Sequence, residues 1–187
     1  MLKSVLHVLC AAGFIMVSVA LAKAQEQQSP MSKIADGVYH FWSMGYSSLV
    51  VAGENGVLIV DPACTARAKR LQAEIQKISN RPVTKVVLTH EHYDHAGGSD
   101  VFPQAEVICQ RACQEMFKLD VIGMAPKQVH QTFDDRLSID LGSHQVDLYH
   151  VAPGDGRAAT LIHLPKENMV ASADMYAPRG FTNSAFI

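Results

Sequence analysis

The chain has 187 residues, 48% of them hydrophobic, and a formal charge of −2 at pH 7. That length suits one domain with a sizeable core. The charge balance leaves no basic face of the kind nucleic-acid binding uses, and no repeat or low-complexity stretch follows residue 30.

The N-terminus is read first. Lys3 precedes an apolar run from Val8 to Leu21, and Ala22-Lys23-Ala24 has the small residues of a cleavage site. Residues 1–24 are therefore expected to be a secretory signal peptide, which places the mature protein in the periplasm or outside the cell. The competing reading, an uncleaved membrane anchor, calls for a longer apolar run. Residues 25–33 are polar and are expected to be a disordered lead-in, with the folded domain over residues 34–187 and no membrane attachment after cleavage. Cys10 leaves with the signal peptide. Cys64, Cys109 and Cys113 remain, an odd number, and read as buried small hydrophobes.

"GVYHFWSM" and "SSLVVAG" read as strands, and "GVLIVDP" as a buried strand that Pro62 ends. Glu54-Asn55-Gly56 is a hairpin turn between two of them. "TARAKRLQAEIQKISN" puts Ala68, Leu71, Ile75 and Ile78 on one face with the charges opposite. It reads as an amphipathic helix, Thr65 its N-cap and Asn80 at its end. "VTKVVLTH" is another buried strand, and "AEVICQ" a short strand followed by a helix over Arg111 to Leu119. Residues 120–136 read as a loop or lid. "RLSIDLG" and "HQVDLYHVA" form a hairpin around Gly142, and "ATLIHLP" and "NMVASADM" two further strands joined by a Pro-Lys-Glu-Asn turn. Strands predominate, and the few helices must cover outer faces, so the chain is expected to be a layered α/β protein.

The strand "VTKVVLTH" runs into "THEHYDHAGG", residues 89–98. In extended backbone, side chains two apart point the same way, so His90 and His92 can reach one metal ion. Gly97 and Gly98 allow a tight turn that aims Asp94 and His95 at a second point. Two-metal hydrolytic sites hold their ions ~3.5–4 Å apart, and imidazole with carboxylate suits zinc. The rival motif H-E-x-x-H fails because residue 94 is aspartate, and a merely solvated polar loop would not gather three histidines and an acid at a strand end.

The spacing H-x-H-x-D-H resembles the signature of the metallo-β-lactamase superfamily. "DGVYHFW" and "SSLVVAGENGVLIVDP" look like that family's opening strands, and "LPKENMVASADMY" like its later hairpin. The resemblance covers nearly all of residues 34–176. It implies a four-layer αββα sandwich, two zinc ions and hydrolysis by a metal-activated water. It further implies that His90 and His92 bind the first metal, that Asp94 and His95 bind the second, and that Asp174 bridges them. Asp94 would also orient the water, and Asp61 would support the metal loop.

Two departures stand out. The family carries a third first-metal histidine in a segment where this chain reads "APGDGRAATLIHLP", which puts Asp155 at that position. Asp155 is either a carboxylate ligand or a surface turn residue. His150 is the substitute candidate, while His144, His130 and His163 read as surface or strand residues and His40 could face either way. The family also places a last histidine well beyond the bridging acid, whereas this chain ends at Ile187, so the last elements of the sandwich are expected to be missing.

The leading expectation is an exported zinc hydrolase acting on a small molecule such as a β-lactam, lactone or thioester. Residues 43–47, "SMGYS", would form a short loop near the site, where Met44 and Tyr46 offer either apolar contact or core packing. The alternatives are a non-catalytic metal-binding protein of the same fold and, lower in rank, a di-iron redox relative. Oligomeric state is not legible.

Overall fold

A computed structural model describes residues 30–151, 154–174 and 185–186. The expected signal peptide lies outside the described residues. So does the stretch 175–184, on which the expectation of missing last elements bears. No described helix is long and apolar enough to cross a membrane.

The chain opens with four antiparallel strands: β1 (Met31–Ala35), β2 (Val38–Ser43), β3 (Tyr46–Gly53) and β4 (Gly56–Val60). All three connecting turns have two residues. At the second, Met44 and Gly45 have φ of 56° and 86°, the left-handed backbone that matches the twist of a tight hairpin. Helix α1 (Thr65–Ile78) then carries the chain over to β5 (Val83–Leu88), which pairs parallel with β4. A single helical turn α2 (Tyr93–Ala96) and a 3-10 turn (Ser99–Val101) lead to β6 (Glu106–Gln110). After α3 (Arg111–Phe117) comes β7 (Gln131–Phe133), and both strands extend the sheet in parallel. The result is a seven-stranded sheet in chain order.

The second sheet holds β8 (Arg136–Asp140), β9 (Gln145–His150), β10 (Thr160–Leu164), β11 (Met169–Ser172) and β12 (Ala185–Phe186), antiparallel throughout. Two cores follow from strand alternation. Val50, Val57, Ile59, Val86 and Leu88 pack under Ala68, Leu71 and Ile75 of α1. Leu49, Val51, Leu58, Val60 and Val87 pack against Leu148, Ile162 and Leu164 of the second sheet. β4 is buried at every position because helix covers one face and sheet the other.

The described residues form a layered α/β sandwich, as expected. Three layers, helix, sheet and sheet, are built by described residues, and the outer helical layer over the second sheet is not among them. Several local expectations are corrected. Met31 to Lys33, assigned to the lead-in, pair with β2. Cys64, not Thr65, is the N-cap of α1, and it makes no side-chain cap bond; Thr65 begins the helix, and its hydroxyl donates to Asp100 at 3.2 Å. The helix ends at Ile78, two residues before Asn80, and α3 ends at Phe117 rather than Leu119. β7 lies inside the expected loop; three residues are too few to show a period.

Candidate metal centre

The centre is built where β4 and β5 end side by side. Asp61 follows β4 in left-handed backbone, φ 52°, and Thr89 follows β5. Asp61 accepts the Thr89 N–H at 2.9 Å and its hydroxyl at 2.6 Å. The second bond spends the hydroxyl hydrogen, so Thr89 Oγ1 can only accept from His90 Nδ1, 3.0 Å away. That fixes the tautomer: Nδ1 of His90 carries the proton and Nε2 presents a lone pair. Nε2 is buried and has no hydrogen-bond partner. Asp61 Oδ2 also lies 3.2 Å from His95 Nδ1, which turns His95 Nε2 the same way. One carboxylate thus orients two imidazoles.

His92 caps α2 in extended backbone, and its Nδ1 stands 3.0 Å from Asp155 Oδ2. Asp155 Oδ2 is 3.7 Å from His90 Nε2. On the other side, Asp174 Oδ2 is 2.7 Å from His95 Nε2 and 3.9 Å from His90 Nε2. Two donor groups result, His90 with His92 and Asp155, and His90 with His95 and Asp174; within each, the donor atoms lie within 4.8 Å of one another. Imidazole nitrogen and carboxylate oxygen are the ligands of zinc and of similar divalent ions. The orphaned, buried His90 Nε2 aimed into this cluster fits a cation.

The two glycines after the motif have separate reasons. A Cβ on Gly97 would stand 2.3 Å from the Ala63 carbonyl oxygen, and Gly98 has φ 78° with Cys64 backbone 2.7 Å from where its Cβ would be. The close approach bridges Ala63 to Ala96 and locks the helical turn against the end of β4. Backbone strain gathers here. Of the five described non-glycine residues with positive φ, Asp61, Ala63 and Asp174 lie at or beside the centre, and Met44 sits in the turn before Tyr46.

The electrostatics follow from burial and pairing. Burial, the dominant influence, holds His90 below its usual range. Burial works against charge on His95 too, but Asp174 and Asp61 prevail and raise it to about 10. Asp174 is held below the usual carboxylate range chiefly by its bond to His95. Asp61, buried, is also lowered, because His95, His90 and Thr89 together outweigh the cost of burial.

Asp94 adjoins His95, the residue with which it was expected to share a metal. It is half exposed, with Oδ2 3.9 Å from His95 Nε2, and stands outside both donor groups. The Tyr46 ring meets His95 edge-on at 5.9 Å, and burial together with the Asp94 charge raises the Tyr46 hydroxyl above its usual range. Tyr46 is therefore a neighbour of the centre rather than of the core. The remaining histidines make other contacts: His40 with Ser47 at 2.9 Å, His130 with the Val107 N–H at 2.9 Å, and His163 near Asp147 at 3.8 Å. His150 turns to the Arg157 carbonyl at 3.1 Å and does not substitute for Asp155. His144, read as a surface or strand residue, is buried against Glu167 at 2.8 Å. Cys109 and Cys113 are buried free thiols, while free Cys64 is only half buried.

Three residues escaped the sequence reading. Glu91 is buried, and its carboxylate accepts the N–H groups of Arg157 and Ala158 at 2.7 and 3.1 Å. Arg67 is fully buried although it lies among the charges of α1. It donates to the carbonyls of Phe41, Ser43, Tyr46 and Pro62 and to Ser48 Oγ, and burial pulls its guanidinium down to about 10. Thr89 is the relay between Asp61 and His90. None of their partners is a sequence neighbour except His90, so no local pattern marks them.

A family profile described as the metallo-beta-lactamase superfamily matches residues 41–186. The 2,4-dinitroanisole O-demethylase subunit alpha of Nocardioides sp. (strain JS1661) is 25% identical over 146 residues, 75% of this chain and 42% of that protein. The linear primary-alkylsulfatase of Pseudomonas sp is 29% identical over 73 residues, 37% of this chain and 11% of that protein. The chain thus spans less than half the length of these curated relatives. Among solved structures, a metallo-beta-lactamase from Pontibacter korlensis superposes with a TM-score of 0.70 at 19% identity, covering 82% of this chain and 75% of that one.

Proposed function

Because the chain belongs to the metallo-beta-lactamase superfamily, whose fold is of the metal-dependent hydrolase type, we propose that it is an exported zinc hydrolase of small ester-like molecules. The observation that carries this reading is the convergence of His90, His92 and His95 with Asp155 and Asp174 around the unpartnered His90 Nε2. In it, His90, His92 and Asp155 hold one ion, Asp94 and His95 hold a second, and Asp174 lies between. Ions bound there would polarise a scissile carbonyl and lower the pKa of a water toward ~7. The protein supplies the rest. Asp61 and Thr89 keep the imidazoles in their ligating tautomers, as the supporting shell of a metal site does. Asp94, half exposed beside His95, would orient the attacking water. Export rests on the pattern of residues 1–24, and β-lactams, lactones and thioesters are the substrate classes considered.

A second reading concerns substrate alone. The similarity to a 2,4-dinitroanisole O-demethylase subunit and to an alkylsulfatase favours an aryl ether or a sulfate ester. One experiment addresses both. The mature protein loaded with Zn²⁺ is offered a chromogenic cephalosporin, a lactone, a thioester, 2,4-dinitroanisole and a linear alkyl sulfate. Turnover of at least one is expected, abolished by a chelator, restored by Zn²⁺ and absent in His92→Ala. Failure to turn over any of them with two equivalents of zinc bound would remove the hydrolase reading in favour of a non-catalytic metal-binding protein.

A further inference from the structure

We infer that Glu91 is a positioning residue that delivers Asp155 to the His90–His92 donor pair; the inference rests on reading Asp155 as a metal ligand. Glu91 lies between His90 and His92, but its carboxylate turns to Arg157 and Ala158 rather than to the donor groups. It meets there the loop that carries Asp155. Its carboxylate accepts two successive backbone N–H groups, from Arg157 at 2.7 Å and Ala158 at 3.1 Å, across 66 and 67 residues of chain. Bonds to an ionised acceptor are about twice as strong as neutral ones, and this pair is buried.

The loop is fitted to the clamp. A Cβ on Gly156 would stand 2.6 Å from Glu91 Oε2 and 3.1 Å from His90 Cβ. Only glycine lets the loop lie this close, and Asp155 is the residue before it. A second hold comes from the Thr160 N–H, which donates to the Thr89 carbonyl at 2.8 Å. Among the described residues, the Asp155 carboxylate is held only by the histidines it faces. Its approach to them therefore depends on the backbone that Glu91 grips. This accounts for the acid set between the two histidines of the motif: it does not ligate, and it brings in the ligand that the motif lacks.

The test is a Co²⁺ titration of the mature protein, read by d–d absorption and equilibrium dialysis, on wild type, Glu91→Gln, Asp155→Asn and the double variant. Glutamine keeps the shape but leaves one acceptor oxygen for two donors. Glu91→Gln is expected to weaken one of two cobalt equivalents about 10- to 100-fold, the range for outer-shell partners, and to leave the other unchanged. In the Asp155→Asn background it should weaken binding no further, because residues that act through one another are non-additive. Gly156→Ala, which displaces the loop without touching the carboxylate, should reproduce the loss if Glu91→Gln does not fold. Wild-type affinity for both equivalents in Glu91→Gln, or an equal further loss in the double variant, overturns the inference while leaving Asp155 as a ligand. Asp155→Asn without effect on either equivalent removes the ligand reading, and the inference with it.

Discussion

His95 is where a single residue's chemistry becomes measurable. In the metal-free chain Asp174 and Asp61 raise it to about 10, against an ordinary value of 6.5. Any cation that takes its Nε2 must displace that proton. Calorimetric titration with Zn²⁺ at pH 7 in buffers of different ionisation enthalpy should therefore show close to one proton released from His95, and affinity should rise with pH until about 10. Release that stays near zero would mean that His95 does not ligate. The sign for stability runs the opposite way. The raised pKa contributes stability to the metal-free fold that is full below 6.5 and lost as pH rises toward about 10. The lowered Asp61 and Asp174 contribute stability present above 3.8 and lost as pH falls below it. At this scale the sequence was legible where donors crowd together. His90, His92, Asp94 and His95 fall within six positions, whereas Glu91 and Arg67 act on groups that only the fold brings near.

At the scale of elements, Arg67 joins α1 to the hairpin of β2 and β3. Its guanidinium donates to five carbonyls, that of Asp61 among them, and to Ser48 Oγ, and it lies over the Phe41 ring at 4.8 Å. Ser48 in turn donates to the Asp61 carbonyl at 2.6 Å, so the same network reaches the metal centre. Arg67→Ala would leave these acceptors buried and unpaired, and urea denaturation should register a loss of about 3–5 kcal/mol. A loss under 1 kcal/mol would mean that water enters and replaces the side chain. Helical periodicity placed Ala68, Leu71 and Ile75 on the buried face correctly, yet it could not separate Arg67 from its solvated neighbours. A buried arginine and an exposed one have the same position in the pattern. The strands β2 to β6 were readable because alternation or continuous apolar runs mark them. β7 was not, for a three-residue strand at a sheet edge carries no such mark.

Taken whole, the molecule is two sheets packed face to face with helices over the first, and its order of elements was legible nearly end to end because each apolar run has one place to go. Sequence reading left Asp155 open between ligand and turn residue, since its place beside His92 depends on how two sheets meet. The prediction at this scale concerns the mature chain. Intact-mass analysis of the protein taken from its own cell envelope should place the N-terminus at Gln25, and a mass that retains residues 1–24 would mean an uncleaved anchor. The left-handed corners at Met44, Asp61, Ala63 and Asp174 bear on the future of such a scaffold. Conformations of this kind cost a non-glycine residue roughly 1–2 kcal/mol, and far more if it is β-branched. The vocabulary tolerated at these corners is narrow for reasons of backbone geometry, quite apart from ligation. New specificities would therefore be written elsewhere, in segments such as 118–122, where Leu119, Val121 and Ile122 are exposed and the backbone stays out of the left-handed region.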